Sequence, residues 1–144
     1  MNVLKKITAL ALAFSVIIGA SSIATANSNS DISTYTWKQL ASTSNTFTVD
    51  DDGKATIIGT TTGHSSSTKI TLDVYVEQLN KGTWSTVSGM SWSTSTTSEM
   101  TVSISKTRWM TSGYYYRLRT EHSATGPNGT ETDTIISDIY YYGK

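Results

Sequence analysis

Two histidines and a scatter of carboxylates are the groups with which this chain could do acid–base or nucleophilic chemistry, because it contains no cysteine. His64 sits in the Gly-His-Ser-Ser-Ser run from Gly63 to Ser67, and His122 continues the inward parity of Leu118 and Thr120. A nucleophile needs a base fixed beside it. Serine is so abundant here that one will lie near either imidazole by chance, and no Gly-x-Ser-x-Gly run marks a nucleophile elbow. Glycoside hydrolysis needs two carboxyl groups held a set distance apart across a cleft. Glu77, Glu99, Glu121 and Glu131 fall mostly on outward strand positions instead, where charge discourages edge-to-edge aggregation. No catalytic residue is assigned, and the chain reads as a protein without catalysis or cofactor.

Asp50-Asp51-Asp52-Gly53 is the one acidic cluster. Carboxylates converging on a turn suit Ca²⁺, yet the alternating acids and the later Glu of an EF-hand loop are missing. Asp-Gly is also a hairpin signature, since both residues tolerate positive φ. A turn is the expected role, with Asp50, Asp51 and Asp52 as the candidate cation ligands.

The aromatic residues carry more. Four tryptophans (Trp37, Trp84, Trp92, Trp109) and eight tyrosines exceed what a small sandwich can bury. Alternation puts Tyr75, Tyr115, Tyr140 and Tyr142 outward, beside Arg117 and Arg119. These six residues form a candidate platform that could stack on a sugar ring or a protein partner. Against this stands the plain fact that tyrosine is a good strand residue with an amphipathic edge.

The elements that must position these residues are strands. Thr68 to Leu79 alternates almost without error: Ile70, Leu72, Val74 and Val76 take one face, and Thr71, Asp73, Tyr75 and Glu77 the other. A short strand is expected over Thr34–Leu40 and a polar connector over Ala41–Ser44. A hairpin from Thr46 to Thr61 then turns at the Asp-Gly pair. Thr83 to Trp92 changes parity around Gly89, which predicts a bulge or a bend. Ser93–Ser98 reads as a loop, Met100, Val102 and Ile104 as the next alternation, and Trp109 with Met110 as a connector closing one end.

The last two strands, Tyr114–Ala124 and Thr130–Tyr142, are joined by Gly126-Pro127-Asn128-Gly129, a strong turn signal. That four-residue loop predicts Arg117 opposite Asp138 and Tyr115 opposite Tyr140. Pore-forming strands must alternate over about ten residues, and the Ser-rich half of Ser93–Ser105 does not. An ice-binding threonine ladder fails within one strand, because neighbours in Thr60-Thr61-Thr62 point to opposite faces.

Serine and threonine make up roughly a third of the chain beyond residue 26 and favour pleated strands over helix. Residues 1–26 carry Lys5 and Lys6, an apolar run from Ile7 to Ile18 and a terminal Ala-Thr-Ala, the pattern of a cleaved secretory signal peptide. Without Lys5 and Lys6, nine basic side chains face eleven acidic ones, a formal charge of −2. That balance argues against nucleic acid and anionic membrane as partners. The expected organisation is a signal peptide over 1–26, a flexible tail over 27–33 and one β-domain over 34–144, secreted and extracellular.

Val74-Tyr75-Val76-Glu77-Gln78, Gly82-Thr83-Trp84, Ser91-Trp92-Ser93, Tyr116-Arg117-Leu118-Arg119 and Glu131-Thr132 resemble the motifs of a group of small secreted β-sandwich proteins of Gram-positive bacteria. The likeness spans about Thr68 to Tyr142 and implies a sandwich with no catalytic residues. The segment at Gly113 also resembles the tyrosine corner of immunoglobulin-like domains. Aligned on Gly113 the corner falls on Tyr115, whereas alternation turns Tyr116 inward.

The fold expected is an all-β, antiparallel two-sheet sandwich of about seven strands, immunoglobulin-like in architecture, with a small closed β-barrel as the alternative. The function expected is that of a secreted, non-catalytic binding or surface protein. A carbohydrate-binding module for extracellular polysaccharide and a small antibacterial toxin or bacteriocin are the alternatives.

Overall fold

A computed structural model describes residues 36–143, all of whose regular structure is β. The expected signal peptide and tail lie outside the described residues. Eight strands follow in order: β1 (Leu40–Val49), β2 (Lys54–Gly63), β3 (Lys69–Asn80), β4 (Thr83–Thr96), β5 (Thr101–Trp109), β6 (Tyr114–Gly126), β7 (Gly129–Ile136) and β8 (Tyr140–Tyr142). They form two separate antiparallel sheets, one in the order β1-β2-β5, the other β4-β3-β6-β7 with β8 also on β6. The sheets pack as a sandwich and do not close into a barrel. The fourth strand lies beside the third, on the five-stranded sheet, as the C′ strand does in immunoglobulin variable-type domains.

β3 organises the core. Ile70, Leu72, Val74 and Val76 are buried, and Tyr116, Leu118 and Ala124 beside them on β6 continue the same inner face. Leu40, Phe47, Ala55, Ile57, Val102 and Ile104 face them from the three-stranded sheet. Burying each such aliphatic side chain stabilises the fold by about 1.5–3 kcal/mol before chain entropy is charged against it.

Four boundaries differ from expectation, each for a physical reason. Ala41–Ser44 belongs to β1, pairing Ser42 with Thr62 and Ser44 with Thr60. Its inward polar side chains are satisfied across the sandwich: Thr43 Oγ1 donates to Asp133, and Asn45 Nδ2 donates to the Ile135 carbonyl and Thr120 Oγ1. Residues 36–39, expected in the first strand, precede β1. Instead Glu131 holds them, its carboxylate accepting the backbone N–H groups of Lys38, Gln39 and Leu40 at 2.7–3.0 Å. Ser93–Thr96 extends β4, an edge strand whose ladder to β3 needs no apolar partner. Trp109 is the last residue of β5 and is exposed, so of the two expected residues Met110 is the one buried at that end.

The bend expected at Gly89 is present. Residues 87–90 stand opposite Val76 alone, and Gly89 adopts φ +74° while Val87 and Met90 dip toward the core. The final strand is broken. From Gly126↔Gly129 to Arg119↔Ile136 the pairing follows the expected register, but beyond residues 137–139 it resumes one residue out of step, with Tyr115↔Tyr141 and Tyr116↔Tyr140. Ser137 causes the step by turning its hydroxyl onto the Leu118 N–H, while its own N–H bonds the Leu118 carbonyl. A one-residue slip reverses side-chain facing.

Tyr116 forms the tyrosine corner: its inward hydroxyl donates to the Thr111 carbonyl at 2.8 Å. Deeper in, His122 is buried between the sheets, with Nδ1 2.8 Å from Thr61 Oγ1 and Nε2 2.8 Å from Thr120 Oγ1. Where Thr120 gives its proton to the Ile135 carbonyl, Nε2 donates to Thr120, and a neutral imidazole then accepts the Thr61 hydroxyl on Nδ1.

Burial holds the His122 pKa below its ordinary value, with Asp133 opposing weakly. Above about pH 6.5 both folded and unfolded chains carry it neutral, so its contribution to stability is complete there. Below that value the unfolded chain binds the proton first, and stability falls with pH down through the folded pKa. The urea midpoint is therefore expected to drop between pH 7.5 and 5.5 and to drop less in His122→Gln. An equal drop in both would show that another group governs this window.

Candidate functional site

The outer face of the five-stranded sheet assembles the candidate residues in cross-strand rows. β3 and β6 set Glu77 beside Arg117, Tyr75 beside Arg119 and Asp73 beside Glu121. Trp84 joins from β4 opposite Leu79. Glu77 is nearly buried and accepts one hydrogen bond on each oxygen, from Arg117 Nε at 2.8 Å and Arg119 Nε at 2.7 Å. Each guanidinium then stacks on a ring: Arg117 over Trp84 at 4.3 Å, Arg119 over Tyr75 at 4.2 Å. Arg119 also pairs with Glu121.

The electrostatics follow from this lattice. Burial pushes the Glu77 carboxyl up, but the hydrogen bonds and the charges of the two arginines together outweigh it and hold it below the ordinary carboxylate range. Burial lowers Arg119, and Glu77 and Glu121 more than restore it. Tyr75 is raised by burial and by Asp73 and Glu121, so the phenol stays protonated at neutral pH.

The six expected platform residues are brought together only in part. Tyr75, Arg117 and Arg119 share the outer face, but they are engaged with one another and with Glu77, so the Tyr75 ring is covered by a guanidinium. Tyr115 is outward and exposed. Tyr140 and Tyr142, expected outward, are turned inward by the register step: Tyr140 packs edge-on against Phe47, centroids 5.6 Å apart, and Tyr142 donates to the Asp52 carbonyl. Tyr142 also lies where a Cβ on Gly53 would sit, which together with φ +88° confines that turn position to glycine.

Tyr141, which parity arguments missed, takes their place. It is 59% exposed and lies against Tyr115, itself 48% exposed, with ring centroids 4.8 Å apart. The signal that could have found it is the polar Ser137-Asp138 break between the apolar pair Ile135-Ile136 and the run from Ile139 to Tyr142.

Between β3, β6 and β7 the same face holds a half-open cavity of about 190 Å³ lined by Asp73, Glu121, Ser123, Thr132 and Thr134. His122 and Asp133, whose side chains turn to the interior, complete its floor.

The acidic cluster forms the turn between β1 and β2. Asp50 caps its own turn, one carboxylate oxygen accepting the Asp52 and Lys54 N–H groups. Among the described residues no group of three or more His, Cys, Asp or Glu side chains gathers as a metal site. The Arg117–Asp138 ion pair does not form, because the register step removes Asp138 from the ladder.

The hydroxyl ladder that fails along a strand exists across strands. Ser42, Thr62 and Thr101 form one row on the outer face of the three-stranded sheet, and Ser44, Thr60 and Ser103 the next. Thr60–Ser103 and Thr62–Thr101 hydroxyl bonds of 2.9 and 3.1 Å tie the rows.

Comparison with protein-family models, curated proteins and solved structures finds no match for this chain. Its site is therefore read from its own geometry.

Glu77→Gln leaves two guanidinium groups sharing a neutral acceptor. It should cost about 1–3 kcal/mol in urea unfolding, moderated by the partial exposure of both arginines. Asp138→Asn, exposed and outside the ladder, should stay within about 0.5 kcal/mol of the parent. The reverse ranking would contradict the pairing described.

Proposed function

We propose that this chain is a secreted, non-catalytic binding protein that meets an extracellular polysaccharide with the outer face of its five-stranded sheet. The observation that supports this reading is the exposed Tyr115–Tyr141 pair, standing at one end of that face. Aromatic rings with a wet edge and an apolar face suit the alternating hydroxyl and C–H surfaces of a sugar. Beside them, the arginine–glutamate lattice fixes the floor in one conformation. A rigid floor loses little side-chain entropy on binding.

The signal-peptide pattern of residues 1–26 supports export. A protein partner is the second reading, favoured by Ile136 and Ile139, exposed aliphatic side chains close in sequence to Tyr141.

Titration with soluble polysaccharides, followed by intrinsic fluorescence, is expected to give saturable binding. Tyr115→Ala and Tyr141→Ala should each weaken it about tenfold, the scale of one lost aromatic stack with its buried area. Trp109→Ala, on the opposite sheet, should leave it unchanged. Binding insensitive to both tyrosines would remove this face from the function.

A further inference from the structure

The cavity between β3, β6 and β7 differs in chemistry from the tyrosine pair. At about 190 Å³ it falls below the 300–1,000 Å³ of sites that enclose a whole small ligand, so it suits a single ring of a longer molecule. Its walls are hydrogen-bonding groups. The Asp73 carboxylate accepts no hydrogen bond among the described residues, and Glu121, paired with Arg119, stands directly opposite it in the ladder. Ser123, Thr132 and Thr134 supply hydroxyls that both donate and accept.

Because Glu121 is paired with Arg119 and Asp133 accepts from Thr43, Asp73 is the cavity carboxylate without an ion-pair or hydrogen-bond partner among the described residues. Hydroxyl donors from a ligand would supply it with charge-assisted hydrogen bonds. No lysine or arginine lines the cavity, and Arg119 is engaged with Glu77 and Glu121, so an anionic sugar would meet the Asp73 carboxylate with no lining cation to offset it.

The position matters as much as the lining. Glu121 is six residues from Tyr115 on β6, about 20 Å along a strand. The lattice between them is already paired, so a glycan can cross it without desolvating unpaired charge.

We infer that this cavity is a second subsite, which takes one uncharged, hydroxyl-rich sugar unit of a glycan whose other end stacks on Tyr115 and Tyr141. The inference rests on the polysaccharide reading above and adds to it a ligand class and a direction of binding. Asp73 and Glu121 accept sugar hydroxyls, and the three hydroxyl side chains complete the ring's hydrogen bonds.

The test is calorimetric titration of the secreted chain with hexasaccharides of neutral hexoses and of N-acetylhexosamines, a glucosamine hexamer and a galacturonate hexamer. At least one neutral hexamer should bind and the galacturonate should not. Asp73→Ala and Thr134→Val should each weaken the neutral binder, Asp73→Ala by about tenfold or more, the scale of one lost charge-assisted hydrogen bond. Urea midpoints of both variants, close to the parent's, verify the fold.

Neutral binding lost in Tyr115→Ala but untouched by Asp73→Ala and Thr134→Val overturns the subsite and leaves the tyrosine platform standing. Binding of only the glucosamine hexamer overturns the uncharged class, with the carboxylates then holding an ammonium group. Failure of every hexamer and of the longer polysaccharides overturns both readings.

Discussion

The carboxylate of Glu77 carries two obligations that the rest of the sheet is built around. It sits on the outward parity of the strand whose other face supplies Ile70, Leu72, Val74 and Val76 to the core, yet it is nearly as buried as they are. A buried carboxylate is costly unless paired on each oxygen, and β6 meets that demand with Arg117 and Arg119 in adjacent outward positions. The β3–β6 register is thus fixed twice, by apolar burial on one face and by an ion-pair fork on the other. A slip of one residue would break both at once.

That double constraint makes the other departures tolerable. β4 can bulge by several residues at its edge, and the last strand can break and restart, because the central pair needs neither for its register. The restart has consequences beyond local geometry. It turns Tyr140 and Tyr142 into the sandwich, where they pack on Phe47 and close the Asp-rich turn, and it turns Tyr141 out to meet Tyr115. One serine hydroxyl on the Leu118 N–H decides which tyrosines are core and which are surface.

The interior is less apolar than an ordinary sandwich core. With no cysteine to staple the sheets, the space between β1, β2, β6 and β7 is bridged by Thr61, His122, Thr120 and Asn45, each bonded across the interface. At its margin, Glu131 gathers the segment entering β1, and its carboxyl is held below the ordinary range chiefly by the Lys38 N–H, with Leu40 and Gln39 adding to it. Directional bonds of this kind specify which sheet lies on which and in what orientation, which apolar contact alone does less well. They also make the sandwich sensitive to acid, since both the imidazole and the carboxylate act in their deprotonated forms.

Period-two alternation was enough to read the all-β class, the inward set on β3, the inward parity of Tyr116, Leu118 and Thr120, the Gly89 bulge and the outward Arg117 and Arg119. These are local consequences of the pleat and need no knowledge of neighbours. What a strand pairs with is not local, so the sequence was silent on Glu77 as the partner of both arginines and on the guanidinium groups that cover Trp84 and Tyr75. The same limit hid the hydroxyl rows shared by three strands, and the cavity formed where small side chains of β6 and β7 meet Asp73 of β3. Polar stretches such as Ala41–Ser44 looked like connectors because their hydrogen-bond partners lie about ninety residues away. Composition and periodicity determined that this chain would make a two-faced sheet; only the tertiary register decided which aromatic residues that face would show, because facing depends on a count of residues between pairings that a single side-chain hydrogen bond can change.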